Sequence, residues 1–185
     1  FVIGYILLKL IVRLSWNATP GVNSFFKRGQ MVTALALALS HGANDAQKTM
    51  GIITLTLVTS GYLDAFIVPT WVIFLCVGMI ALGTSVGGWK LIRTIGGKFY
   101  RIRPIDGFTA QLTSAVVILG ASLVGGPVST TQVVSSAVMG VGAGERKSRV
   151  RWGVAQEIGM AWLLTIPLTA LFGAGTYWLL NLILS

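Results

Sequence analysis

The chain has 185 residues, of which 54% are hydrophobic and 10% charged, and it carries a net charge of +9. A soluble domain holds about 25% charged residues, so the composition excludes a water-soluble enzyme and describes an integral membrane protein. The 14 Lys and Arg residues lie between apolar stretches, where they act as topology signals and headgroup contacts rather than as a nucleic-acid surface.

Residues 1–14 are apolar apart from Lys9 and Arg13, and are expected to be the last part of a longer helix in a larger protein. Four apolar regions follow: 31–59, 68–89, 107–144 and 150–184. Lys27 and Arg28 precede the first; Lys90, Arg93, Lys98, Arg101 and Arg103 follow the second. Arg146, Lys147, Arg149 and Arg151 stand before the last, while 60–67 holds one acid, Asp64, and no cation. The positive-inside rule therefore predicts a multi-pass protein of the cell membrane with the basic loops cytoplasmic and 60–67 outside.

On this topology 31–59 crosses outward and 68–89 returns. Region 107–144 lies between two cytoplasmic loops. It is expected to be either two spans or a re-entrant helical hairpin, broken at Gly125-Gly126-Pro127. Residues 150–184 form the last span, kinked at Pro167, with Tyr177 and Trp178 in an interfacial belt and the C-terminus outside. Residues 90–104 are too charged to span and predict an amphipathic interfacial helix. The fold expected is all-α, a single transmembrane domain with broken helices. Cys76, inside an apolar stretch, offers neither a disulfide nor a metal cluster.

His41-Gly42-Ala43-Asn44-Asp45-Ala46-Gln47-Lys48 interrupts the first apolar region. Helical rise gives about 13 Å of apolar chain before this cluster and about 12 Å after it. Within a hydrocarbon layer of roughly 30 Å the cluster falls near the midplane, where ionisable groups are costly and functional by default. Gly42 permits the backbone to unwind; Asn44 and Asp45 supply oxygens for a small cation; Gln47 and Lys48 supply donors. The plainer alternative is a satisfied polar knot in which Lys48 neutralises Asp45. His41 and Asp45, four residues apart on one helical face, also have the spacing of a base and its orienter. No serine elbow, cofactor loop or zinc motif accompanies them, so no cofactor is expected and an enzyme is the weaker reading.

The second constellation is Gly125-Gly126-Pro127-Val128-Ser129-Thr130-Thr131-Gln132, in which three consecutive hydroxyl residues directly follow a helix break. A helix N-terminus offers unpaired N–H groups and the positive end of its dipole to an oxyanion. Half-helices meeting at the midplane are a common way for secondary transporters to hold anions. Gln111, Thr113 and Ser114 form a lesser polar patch that small-residue packing explains equally well. Glu157 is expected to pair with Arg151 or another nearby cation. Ser135, Ser136, Gly140, Gly142 and Gly144 permit close helix approach.

Gly42-Ala43-Asn44-Asp45, with Pro127-Val128-Ser129-Thr130-Thr131 some eighty residues on, resembles the inorganic phosphate transporter (PiT) family. Ser40-His41, Gly51, Ser135-Ser136, Gly140 and the run from Ala161-Trp162 to Pro167 extend the likeness, which is closest to the second half of bacterial members. The resemblance implies one of two inverted-topology repeats, the C-terminal one, whose expected partners are the N-terminal repeat, membrane lipids and a second copy in a homodimer. It implies that Ser129, Thr130 and Thr131 contact phosphate, with Gln132, Lys48 and Gln111 as further candidates. Asn44, Asp45 and Gln47 would serve the coupling cation. Two positions depart from the family pattern: Lys48 stands where Asn is frequent, and Gln132 where His is. An ammonium at Lys48 predicts coupling to H+ rather than Na+. Phosphate would move as the free ion or as a neutral metal–phosphate complex; sulfate on the same fold is the alternative cargo.

Overall fold

A computed structural model describes residues 1–16, 22–98, 103–146, 148 and 150–184, with the backbone alone over 87–98 and at 184. Six helices follow in order: α1 (Val2–Leu14), α2 (Val22–Thr59), α3 (Thr70–Lys98), α4 (Pro104–Leu123), α5 (Thr130–Glu145) and α6 (Trp152–Leu184). The described residues contain no strand. Phe1–Val150 forms one compact unit and Arg151–Ser185 a second.

α2 has 38 residues, about 57 Å of rise, and it is longer and more regular than the sequence predicts. It begins well before the apolar run, and the polar cluster lies inside unbroken helix, so the expected unwinding at Gly42 does not occur. A single glycine costs a helix only about 1 kcal/mol, which the flanking Ala43, Ala46, Gln47 and Lys48, all good helix formers, offset. Ser40, Thr49, Thr56 and Thr59 return their hydroxyls to carbonyls one turn back, at 2.8–3.1 Å. Such bonds satisfy polar side chains without water.

Gly61, at φ 75°, turns the chain, and α3 comes back along α2 with Val72 and Cys76 buried. α3 continues to Lys98, so residues 90–98 extend that helix instead of forming a separate interfacial one. Residues 99–102 of that expectation lie outside the described residues. No proline intervenes before Pro104, and Gly96-Gly97 alone does not stop the helix.

The chain breaks where the paired glycines and proline predict it. α4 starts on Arg103 as N-cap with Pro104 at its first turn, and the Arg103 N–H donates to Asp106 Oδ2 at 3.1 Å. α4 ends at Leu123; Gly125 takes φ 78° and the Gly126 N–H bonds the Ala121 carbonyl at 2.9 Å. This left-handed glycine terminates α4 and turns the chain toward α5.

α4 runs alongside α2 in the same direction. Phe108 packs on Gly29 and lies edge-on to Phe26, with ring centroids 5.4 Å apart. Further along, Thr33 donates to Gln111 at 2.7 Å, and Asn44 meets Ser122 and Val128. The tip of the α4–α5 hairpin thus stops level with Asn44, and α2 continues from there to Thr59, about 22 Å further. α1 lies parallel to α5, with Gly4 against Ala137 and Gly144 against Tyr5. A Cβ at Gly140 would collide with the Phe1 carbonyl, so this contact requires glycine. Leu8, Ala110 and Val141, with Ile105 and Val138 against them, form the core where α1, α4 and α5 meet.

α6, described by itself, is a 33-residue helix with Pro167 inside it. Thr165 and Thr169, on either side of the proline, donate to carbonyls that precede it, to Trp162 at 2.8 Å and to Thr165 at 2.7 Å. Glu157 is exposed and makes no ion pair among the described residues, contrary to the expected pairing with Arg151. Among the described residues, Pro104–Leu123 and Trp152–Ile183 are long and apolar enough to cross a membrane, and Thr70–Val86 is a shorter apolar helix.

Candidate functional site

His41, Asp45 and Lys48 recur at helical spacing and share one face of α2, where they are roughly a third to a half exposed. Asp45 is their centre. Its Oδ1 accepts from Lys48 Nζ at 3.2 Å and from Asn44 Nδ2 at 3.1 Å, and its Oδ2 lies 3.6 Å from His41 Nε2. The polar knot therefore exists, with Lys48 balancing Asp45, yet both side chains remain open on one side.

The hairpin tip closes on this cluster through the backbone of one residue, Val128. Its carbonyl accepts from Lys48 Nζ at 2.6 Å and from Asn44 Nδ2 at 2.9 Å, while its N–H donates to Asn44 Oδ1 at 3.0 Å. The Ser122 hydroxyl adds a longer bond to Asn44 Oδ1 at 3.4 Å. Val128 lies within the second constellation but the sequence assigns it no contact, and Ser122 was not expected at the site. Ser122 near a predicted helix end was a weak signal, and a backbone partner has none.

Immediately beyond Val128, α5 presents its N-terminus. Ser129 is the N-cap but makes no side-chain cap bond, and the first helical bond is from the Val133 N–H to the Ser129 carbonyl at 3.0 Å. The N–H groups of Thr130, Thr131 and Gln132 consequently have no carbonyl partner within the helix. The side chains of Ser129, Thr131 and Gln132 are exposed and Thr130 is buried. An ammonium, a carboxylate and a positive helix end, some eighty residues apart in the chain, are thus joined through Val128.

Gln111 is not among them. It is seated on the α2–α4 seam against Thr33, about 16 Å along α2 from Asn44, and serves there as a packing contact. Thr113 and Ser114 are buried on α4; Ser114 bonds the Ala110 carbonyl at 2.7 Å. Gln47 is exposed beyond the hairpin tip and bonds no described residue. Among the described residues no group of three or more His, Cys, Asp or Glu could hold a metal ion.

Comparison with known proteins agrees with this geometry. The profile of the phosphate transporter family matches residues 6–173. A Bacillus subtilis protein named "Probable low-affinity inorganic phosphate transporter" is 48% identical over 185 residues, covering 99% of this chain and 56% of its own. A Rhizobium meliloti protein of the same name is 44% identical, covering 98% and 56%. The solved structure titled "The sodium-dependent phosphate transporter" superposes with a TM-score of 0.80 at 34% identity, over 94% of this chain and 45% of that one. The chain therefore spans about half the length of the relatives it matches. These relatives are named as transporters, which removes the enzyme reading of His41 and Asp45. By sequence and by fold, this membrane chain belongs to the phosphate transporter family.

Proposed function

We propose that the chain is one repeat, the C-terminal one, of a secondary transporter that moves inorganic phosphate across the cell membrane together with a cation. The observation that carries the reading is the Val128 backbone, which joins the Asp45–Lys48 pair to the unpaired N-terminus of α5. Phosphate would be held by the N–H groups and hydroxyls of Ser129, Thr130 and Thr131, with Gln132 and Lys48 beside them. Asp45 is the cation-facing group, with Gln47 close by. The α4–α5 hairpin is re-entrant, since its tip stops midway along α2, and its basic ends lie in the cytoplasm. An N-terminal repeat of opposite orientation would supply the facing half of the site, and rocking of the two repeats would alternate access.

Lys48 bears on the coupling ion. Its ammonium is held by one carboxylate oxygen and one carbonyl oxygen, the ligand types that a small cation takes. A tethered cation in that place favours protons over sodium as the driving ion, whereas the solved neighbour is described as sodium-dependent. Uptake by the full-length protein in proteoliposomes distinguishes them. A proton gradient is expected to drive phosphate entry without sodium; a requirement for a sodium gradient, with indifference to protons, would refute proton coupling. Excess sulfate is expected to compete poorly, because protonated phosphate can donate a hydrogen bond to Asp45 and sulfate cannot. Chelation of divalent metal tests whether phosphate travels as a metal complex.

A further inference from the structure

Asn44 is fully buried at the centre of α2, and its amide has no capacity to spare. A carboxamide carries two donor hydrogens and two acceptor sites. Nδ2 donates to the Val128 carbonyl and to Asp45 Oδ1; Oδ1 accepts from the Val128 N–H and the Ser122 hydroxyl. Nothing remains with which to ligate an ion. The two bonds to Val128 engage the peptide units on both sides of its Cα, as a neighbouring strand does, and so fix the position and the rotation of that residue's backbone. Val128 stands next to Ser129, whose carbonyl takes the first bond of α5. Any displacement of the Val128 backbone therefore moves the open N–H groups of Thr130, Thr131 and Gln132.

We propose that Asn44 is a positioning residue: it clamps the hairpin tip by its backbone and so sets the height and aim of the α5 N-terminus, and it is not a ligand of the coupling cation. This rests on the reading of that N-terminus as the phosphate site. It separates Asn44 from Asp45, which the sequence groups together. Few side chains can do this. Aspartate keeps the acceptor for the Val128 N–H but turns a carboxylate oxygen toward the Val128 carbonyl, and alanine offers neither bond.

The test uses Asn44→Ala and Asn44→Asp in the full-length transporter in liposomes, with labelled inorganic phosphate. The KM for phosphate is expected to rise about tenfold or more, from the loss of two buried hydrogen bonds, with a smaller fall in kcat. The cation concentration for half-maximal uptake at saturating phosphate should stay unchanged. A comparable shift in that cation dependence, or no shift in the phosphate KM, would overturn the proposal. A second measurement places Gly126→Cys, in a background without other reactive cysteines, as a reporter of the tip. Both Asn44 variants should speed its labelling by a water-soluble maleimide several-fold in the absence of phosphate, and an unchanged rate overturns the clamp. Because labelling needs no substrate, faster labelling of the Asn44 variants, when the unsubstituted transporter itself carries no phosphate, would uphold the clamp and refute the phosphate reading instead. If Asn44→Ala fails to reach the membrane, Asn44→Asp gives both readouts.

Discussion

Lys48 and Asn44 reach the same carbonyl from adjacent turns of α2, but they differ in what they leave free. Asn44 is spent on the backbone; Lys48 has one carboxylate and one carbonyl partner and stays about a third exposed. Replacing Lys48 with Asn removes the tethered charge and leaves Asp45 and Val128 oxygens facing each other across the vacated position. A mobile cation is then needed there. A charge-assisted hydrogen bond contributes about 1.5–3 kcal/mol, so sodium-free uptake should fall about 10–100-fold in Lys48→Asn and recover as sodium is added. Uptake that stays fast without sodium would show that Lys48 is not the resident cation. The pairing of Lys48 with Asp45 was legible in the sequence from their spacing on one helical face. The second partner of Lys48 was not, because the Val128 carbonyl is a backbone group that every residue possesses. Gln111 failed for the opposite reason: its polarity suggested a ligand contact, but it faces Thr33 across a helix seam that no spacing rule reveals.

The α4–α5 hairpin behaves as an element held at both ends. At the tip it is held by Asn44 and Lys48, and at the base Arg103 Nη2 bridges to Glu145 Oε1 at 2.6 Å while its Nε lies 3.4 Å from Asp106 Oδ2. Asp106 is buried, and its Oδ1 already lacks a hydrogen-bond partner. Arg103→Ala would leave that carboxylate without its counter-ion. A fully buried pair costs about 3–5 kcal/mol to break from one side; with Arg103 half exposed, about 2–3 kcal/mol is expected, read as a lower Tm of the full-length transporter in detergent. Arg103→Lys, which keeps the charge but not the fork, should recover part of it. An unchanged Tm for Arg103→Ala would mean the base is held by packing alone. Gly140→Ala tests the α1–α5 contact, where the added methyl meets backbone that cannot swing aside; about 1–3 kcal/mol of destabilisation is expected in the same assay. At this scale the break at Gly125-Gly126-Pro127 was legible because glycine and proline act locally. The unbroken course of α2 was not. Whether Gly42 unwinds depends on the helix formers around it and on the hairpin packed against it.

For the whole molecule, the decisive quantity is depth, and the helix register supplies it. Phe108 lies at Gly29, next to Lys27 and Arg28, so α4 starts at the basic end of α2. The hairpin tip then lies at Asn44, midway along the apolar run, with about 22 Å of α2 still to come. A hairpin of two full spans would instead bring its tip level with the loop at Gly61. The alternatives place exposed Val124 in different surroundings: outside water for two spans, and the interior of the transporter for a re-entrant hairpin. Single cysteines at Val124, Tyr62 and Ser148 in the full-length protein, probed in intact cells with a membrane-impermeant maleimide, separate them. Tyr62→Cys is expected to label from outside and Ser148→Cys only after the membrane is opened, as the distribution of cations predicts. Val124→Cys is expected to label slowly from outside and to be protected by phosphate, because access runs through the binding cavity. Labelling of Val124→Cys as fast as Tyr62→Cys, and insensitive to phosphate, would put the tip at the outer surface and carry Asn44, Asp45 and Lys48 away from the midplane with it.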